Sequence, residues 1–321
     1  MTAPMLRGLA YATGSAHAID DLAEREGAMP ETIAALRSRG LERYCESTSL
    51  AAMCLQSIAE TLESSALSPE QIDAIVFANS SADWDEADEM AMNSAFHESG
   101  FGTTTIVGVM MQGCSASSTA LRVAVNLIGE GSGVENVLIV LAGRVRASAS
   151  RVPPGGATVF SDGAASCVVS SEYGDFAILA NDNCSNTYLA ATLDPQSTKF
   201  GRYVEAGFHD LSEIARRTLK KAGVPAADVR ALFGTNGSSL YPDWMAAAAQ
   251  LPAANAYRSD IARFAHVHSC DNFISLKNCM EHTAFAAGDH VMLMSWSPFV
   301  LSASVLRYLA GDPLRQLEPQ Q

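Results

Sequence analysis

A phrase of helix, turn and strand occurs twice in this chain, and the repeat restricts the folds open to it. Leu50 to Leu67 carries apolar residues at helical spacing up to a Ser68-Pro69 break, and Ile72 to Ala78 then reads as a buried strand ending in Asn79-Ser80-Ser81. Later, Ser212 to Gly223 is helical and Val224 to Asp228 turns. Val229 to Gly234 is then strand-like and ends in Thr235-Asn236-Gly237-Ser238. Two strand pairs extend the parallel: Val137–Ala142 with Ala165–Ser170, and Val291–Trp296 with Ala303–Tyr308. Short β-rich runs alternating with helices predict an α/β layered fold of two similar halves, residues 1–172 and 173–321.

The 321 residues are 48% hydrophobic, enough for a substantial core without covalent staples. Seven cysteines, an odd number with no Cys-x-x-Cys pair, predict reduced thiols in a cytoplasmic protein. The N-terminal residues lack a basic region followed by an apolar core, and no apolar run reaches the roughly 18 residues of a membrane span. A net charge of −14 argues against binding a nucleic-acid backbone, which Lys and Arg must neutralise. The densest basic cluster, Arg216-Arg217 and Lys220-Lys221, predicts a solvated helix face, with docking of an acidic partner as the alternative.

The chemistry centres on Cys114. An apolar strand-like run, Thr105 to Met111, ends at Gln112-Gly113, and a small-residue helical pattern begins at Cys114-Ser115-Ala116. Unpaired N–H groups in a first helical turn favour a thiolate, and Gly113 lets the chain turn sharply before it. The alternative is a small buried packing residue, the role expected of Cys167 and Cys270, neither of which begins a helix after a glycine. Arg144 to Gly156, with Pro153-Pro154 and Gly155-Gly156, reads as a surface loop long enough to be functional.

These residues resemble the thiolase superfamily, and within it the ketoacyl-ACP synthase III branch. The most specific matches are the cysteine at a strand-to-helix junction and Phe160-Ser161-Asp162-Gly163-Ala164-Ala165, similar to the family's Phe-Gly-Asp-Gly-Ala-Gly turn, with Ser at 161 in place of Gly. The resemblance implies two stacked βαβαβ-type halves in α-β-α-β-α layers with the active site between them, a homodimer, no permanently bound cofactor or metal, and Cys114 accepting an acyl group from a coenzyme A or acyl carrier protein thioester. Decarboxylating members carry a His-Gln-Ala-Asn motif, but here the matching place reads Gly234-Thr235-Asn236-Gly237-Ser238. Further on, Ala265-His266-Val267-His268-Ser269-Cys270-Asp271 resembles the Gly-His-x-Phe-x-x-Asp pattern of a divergent subgroup that includes acyltransferases of secondary metabolism.

By that resemblance Cys114, His266 and Asp271 are nucleophile, base and orienter, and the acceptor is a small hydroxyl or amine. Condensation needs two neutral donors on an enolate oxygen, whereas transfer to a heteroatom needs a base, which a carboxylate-held histidine supplies. His268 is the alternative base, or one half of a metal-binding His-x-His pair. Asp271 is alternatively the cap of a helix starting near Asn272. Asn236 is expected to donate a hydrogen bond where the family histidine stands. Trp296-Ser297-Pro298-Phe299 replaces the family's Gly-Gly-Gly; the Ser297 amide is the remaining candidate for the oxyanion hole, and Trp296 predicts a small or unusually shaped acyl pocket. The family's nucleotide-binding arginine falls on Pro154, with Arg151 close by. Two other functions stay open: carbon–carbon condensation, and a catalytically degenerate partner subunit or carrier-binding scaffold.

Overall fold

A computed structural model describes residues 3–81, 84–129, 131–146, 148–187 and 200–310. The strands are β1 (Met5–Thr13), β2 (Ser15–Ala18), β3 (Arg43–Glu46), β4 (Ala74–Asn79), β5 (Thr105–Val109), β6 (Asn136–Gly143), β7 (Gly163–Ser170), β8 (Phe176–Ser185), β9 (Val229–Phe233), β10 (His290–Trp296) and β11 (Val300–Tyr308). The helices are α1 (Leu22–Glu26), α2 (Pro30–Ser38), α3 (Leu50–Ser65), α4 (Glu86–Glu98), α5 (Ala116–Leu127), α6 (Phe200–Ala222), α7 (Tyr241–Ala248), α8 (Ile261–Phe264) and α9 (Asp271–His282).

Nine strands form one sheet in the order β5-β4-β6-β7-β1-β8-β11-β10-β9, and β2 pairs with β3 separately. The large sheet joins two similar parts where Met5 and Leu6 of β1 meet Ala177 and Phe176 of β8. In order, β9, β10, β11 and β8 repeat β4, β6, β7 and β1. The place of β5 is taken in the second part by an isolated bridge from Leu232 to Ala256. Every residue of β4, β6 and β7 is buried, which explains their nearly unbroken apolar sequences: both faces of the sheet are covered.

The helices make the layers. Ser49 caps α3 by accepting from the Ala52 N–H at 3.1 Å, and Leu50, Met53, Cys54, Ile58 and Thr61 form its buried stripe. That stripe lies on β1 and β7. Burying each large apolar side chain there stabilises the fold by about 1.5–3 kcal/mol. On the opposite side, α5 and α9 touch strands of both parts of the sheet, and α6 covers β8 and β11. The resulting succession of helices, one part of the sheet, helices, the other part of the sheet and helices is the layered α/β fold, and its middle layer carries Cys114 and Asp271. No helix among the described residues is long and apolar enough to cross a membrane.

Candidate active site

After β5 the chain reverses through Met111 and Gly113, both at positive φ (62° and 50°), into a single 3-10 turn, Gly113–Ser115, that runs into α5. Cys114 therefore sits one short turn ahead of the regular helix. A side chain at 113 would bring its Cβ within 2.9 Å of Ser297 Cβ, so glycine is required there by space as well as by φ. Side chains from the other half hold this helix end. Asn183 donates to Thr119 Oγ1 at 2.7 Å, Thr119 donates to Gln112 Oε1 at 3.0 Å, and Asn181 donates to the Ser118 carbonyl at 2.9 Å. Polar Asn181-Asp182-Asn183 inside an otherwise apolar strand was the signal for these contacts.

His266 lies beyond α8, where Ala265 turns at φ 52°. It is fixed by a short ladder to the Phe160 segment: its N–H donates to the Val159 carbonyl at 3.2 Å, and Ser161 N–H donates to its carbonyl at 2.8 Å. The serine that departs from the glycine motif is part of this anchor. Ser161 Oγ accepts from Cys45 N–H at 2.9 Å and donates to the Phe264 carbonyl at 2.5 Å.

Cys114 Sγ lies 2.9 Å from His266 Nε2, and His266 Nδ1 lies 2.6 Å from Asp271 Oδ2. Asp271 accepts two further bonds, from Val267 N–H at 2.7 Å and Asn236 N–H at 2.7 Å. The carboxylate is thus satisfied while deeply buried, as it must be to keep its charge. Burial would push the His266 imidazole down. The Cys114 sulfur and the Asp271 carboxylate outweigh that and hold it well above its ordinary value, which favours the protonated ring.

His268 has a different setting. It opens a 3-10 turn, His268–Cys270, at φ 52°, and stacks on Phe160 with centroids 4.9 Å apart. Its Nε2 is buried and has no hydrogen-bond partner among the described residues. Burial, then the charges of His266 and Arg151, push it down to about 3, so it stays neutral. The two imidazole rings are 6.0 Å apart, and only His266 bonds the thiol. Among the described residues no three His, Cys, Asp or Glu side chains are grouped to hold a metal. Cys167 and Cys270 are fully buried, and burial pushes both thiols up.

Four expectations are corrected. Asp271 does not cap the helix near Asn272: α9 begins at Asp271 itself, and its carboxylate bonds His266, Val267 and Asn236. Asn236 aims its amide at Ser275 Oγ, 3.2 Å away, and serves the site through its backbone N–H on Asp271. The Ser297 N–H is taken by the Val300 carbonyl at 3.0 Å in the tight β10–β11 turn, so it cannot hold a thioester oxygen. Arg151 is buried in a two-pronged pair with Asp162, both contacts at 2.9 Å, and is not free for a carrier phosphate. The basic face of α6 is likewise committed in part: Arg217 and Lys221 both bond Asp182.

Trp296 is buried beside Ser297, with its indole N–H donating to Tyr203 OH at 3.5 Å. Tyr203 and Tyr241 both lie within the electrostatic reach of Cys114. Neither was legible as a site residue, because tyrosines on amphipathic helices read as packing.

Comparison with known proteins bears on the fold. Residues 110–186, which contain Cys114 and the Phe160-Ser161-Asp162 turn, match the family model of 3-oxoacyl-[acyl-carrier-protein] synthase III. No curated protein sequence matches. Among solved structures, the acyltransferase ChlB3 is 17% identical, covers 96% of this chain and 98% of its own, and superposes with a TM-score of 0.82. The 3-oxoacyl-(acyl carrier protein) synthase III FabH from Pseudomonas aeruginosa PAO1 is 18% identical, with coverage of 97% and 100% and a TM-score of 0.80. The priming β-ketosynthase of the R1128 polyketide pathway is 16% identical, with coverage of 96% and 97% and a TM-score of 0.76. The chain has the thiolase fold that these ketoacyl synthase III-type structures share.

Proposed function

We propose that the protein is an acyltransferase that loads an acyl group from a coenzyme A or acyl carrier protein thioester onto Cys114 and passes it to a small hydroxyl or amine. The observation that carries this reading is the unbroken chain from Cys114 through His266 to the carboxylate of Asp271. The Cys114 sulfur attacks the thioester carbonyl. The carrier sulfur leaves and takes the proton held on His266 Nε2. His266, neutral again, removes a proton from the acceptor as the acceptor's oxygen or nitrogen bonds the acyl carbon, and the Cys114 sulfur is expelled. Asp271 keeps Nδ1 protonated throughout and stabilises the imidazolium. The oxyanion is held by the Cys114 N–H, which has no backbone partner among the described residues.

Condensation is less well supported, because the Asn236 amide and the Ser297 N–H are both committed elsewhere. The acyl donor is a diffusing substrate, with no resident cofactor in this reading, and the seven free cysteines suit a reducing cytoplasm. A homodimer is supported by β5, an edge strand with Ile106 exposed and with exposed Met110 and Met111 following it. Intact-mass screening against acyl thioesters tests the nucleophile. The wild type gains one acyl mass and Cys114→Ala gains none; unchanged labelling of Cys114→Ala overturns the assignment. Carbon dioxide released from a malonyl thioester during product formation would favour condensation.

A further inference from the structure

Trp244 and Trp296, two of the three tryptophans in the chain, face each other with ring centroids 6.1 Å apart and planes inclined at 39°. Tyr241, on the same helix as Trp244, extends the row at 6.0 Å and 30°. The backbone is cut away to admit these rings. A Cβ on Gly207 would come within 2.6 Å of Trp296, and one on Gly237 within 2.8 Å of Tyr241. The row also leads outward, since Trp296 is only 9% exposed and Trp244 is 39% exposed. Phe208, Leu240 and Phe299, each within three residues of Gly207, Tyr241 or Trp296, add exposed apolar surface. Aromatic residues left half open to water around a reactive group mark a ligand-binding surface more often than a packing accident.

The inner end of the row is tied to the turn that carries the nucleophile. Ser297, next to Trp296, donates to the Gln112 carbonyl at 3.2 Å, two residues before Cys114. Burial, with a contribution from charge on Cys114, raises the Tyr203 hydroxyl and pushes Tyr241 up to about 12, so both remain protonated donors. The row therefore offers flat apolar faces together with a protonated Tyr241 hydroxyl. A short aliphatic acyl group uses little of this, whereas a planar ring fits the faces and presents oxygen to the hydroxyl.

We infer that the acyl group handled at Cys114 is aromatic, an aryl thioester whose ring lies against Trp244 and Trp296 and whose oxygen accepts from Tyr241. This rests on Cys114 being the acyl acceptor, but binding can be read without acylation. Full-length Cys114→Ala, in a Trp84→Phe background, is titrated with S-benzoyl-pantetheine and with S-hexanoyl-pantetheine while tryptophan fluorescence is followed. The expected result is quenching by the benzoyl compound at a concentration about tenfold lower than by the hexanoyl compound. Adding Trp244→Ala, a change at a partly exposed position checked by thermal melting, removes that preference. Equal binding of the two thioesters overturns the inference, as does a preference that survives Trp244→Ala. An aryl preference in the variant, with no acylation of the wild type by any thioester, would count against Cys114 as the acceptor and leave the aromatic subsite standing.

Discussion

The Asp271 carboxylate accepts from a side-chain N–H and two backbone N–H groups, so its position is set by two separate segments of chain, His266-Val267 and Asn236. Asp271→Asn keeps the shape but loses the charge that supports the imidazolium. Single-turnover assays should show acyl transfer slowed by about 10²–10⁴-fold, the usual worth of a positioned base. Because His266 is raised in the folded state, the stabilisation it gives is complete below the unfolded value of about 6.5 and is lost as pH rises through the higher folded value. Urea midpoints of the wild type should therefore fall over that alkaline range, and His266→Gln should not show the fall; parallel profiles would contradict the raised imidazole. Cys114 was legible because strand, glycine and small-residue helix follow one another locally. The choice between His266 and His268 was not, since it turns on positive φ at Ala265 and His268, which no local residue preference announces.

The turn before α5 and the loop after β6 behave as fixed parts, each pinned by a contact distant in sequence. Gly113→Ala must either push Ser297 away or abandon the positive φ that delivers Cys114. Alkylation of Cys114 by iodoacetamide should slow by at least about tenfold, with a lowered melting temperature. Arg151→Ala leaves Asp162 buried with its charge unpaired and should cost about 3–5 kcal/mol of stability by chemical denaturation. A phosphate-binding role would instead leave stability intact and raise KM for the thioester. Most elements were readable from periodicity. The helix expected over Ser212–Gly223 extends back to residue 200, however, and that unread part carries Tyr203 and Gly207. Glycines at 201 and 207 weaken the helical pattern there, and packing on β8 and β11 overrides them.

At the scale of the molecule, the duplicated rhythm of helix, turn and strand was enough to give two similar parts, because each phrase buries one face of a helix on a sheet whatever its exact residues. What joins the parts was not legible: only two residue pairs link β1 to β8, and the polar contacts from Asn181 and Asn183 to the nucleophile helix depend on that junction. The exposed edge at β5 predicts a mass of two chains by light scattering, with Ile106→Lys shifting it toward one chain; a wild type already at one chain would contradict the pairing. The most direct test of the Cys114–His266–Asp271 assignment isolates the acylated protein and chases it with a small amine or alcohol, following the acyl mass over time. The wild type should discharge to a new amide or ester, whereas His266→Ala should load yet retain its acyl group about 10²-fold longer or more. Discharge of His266→Ala at the wild-type rate would contradict the account.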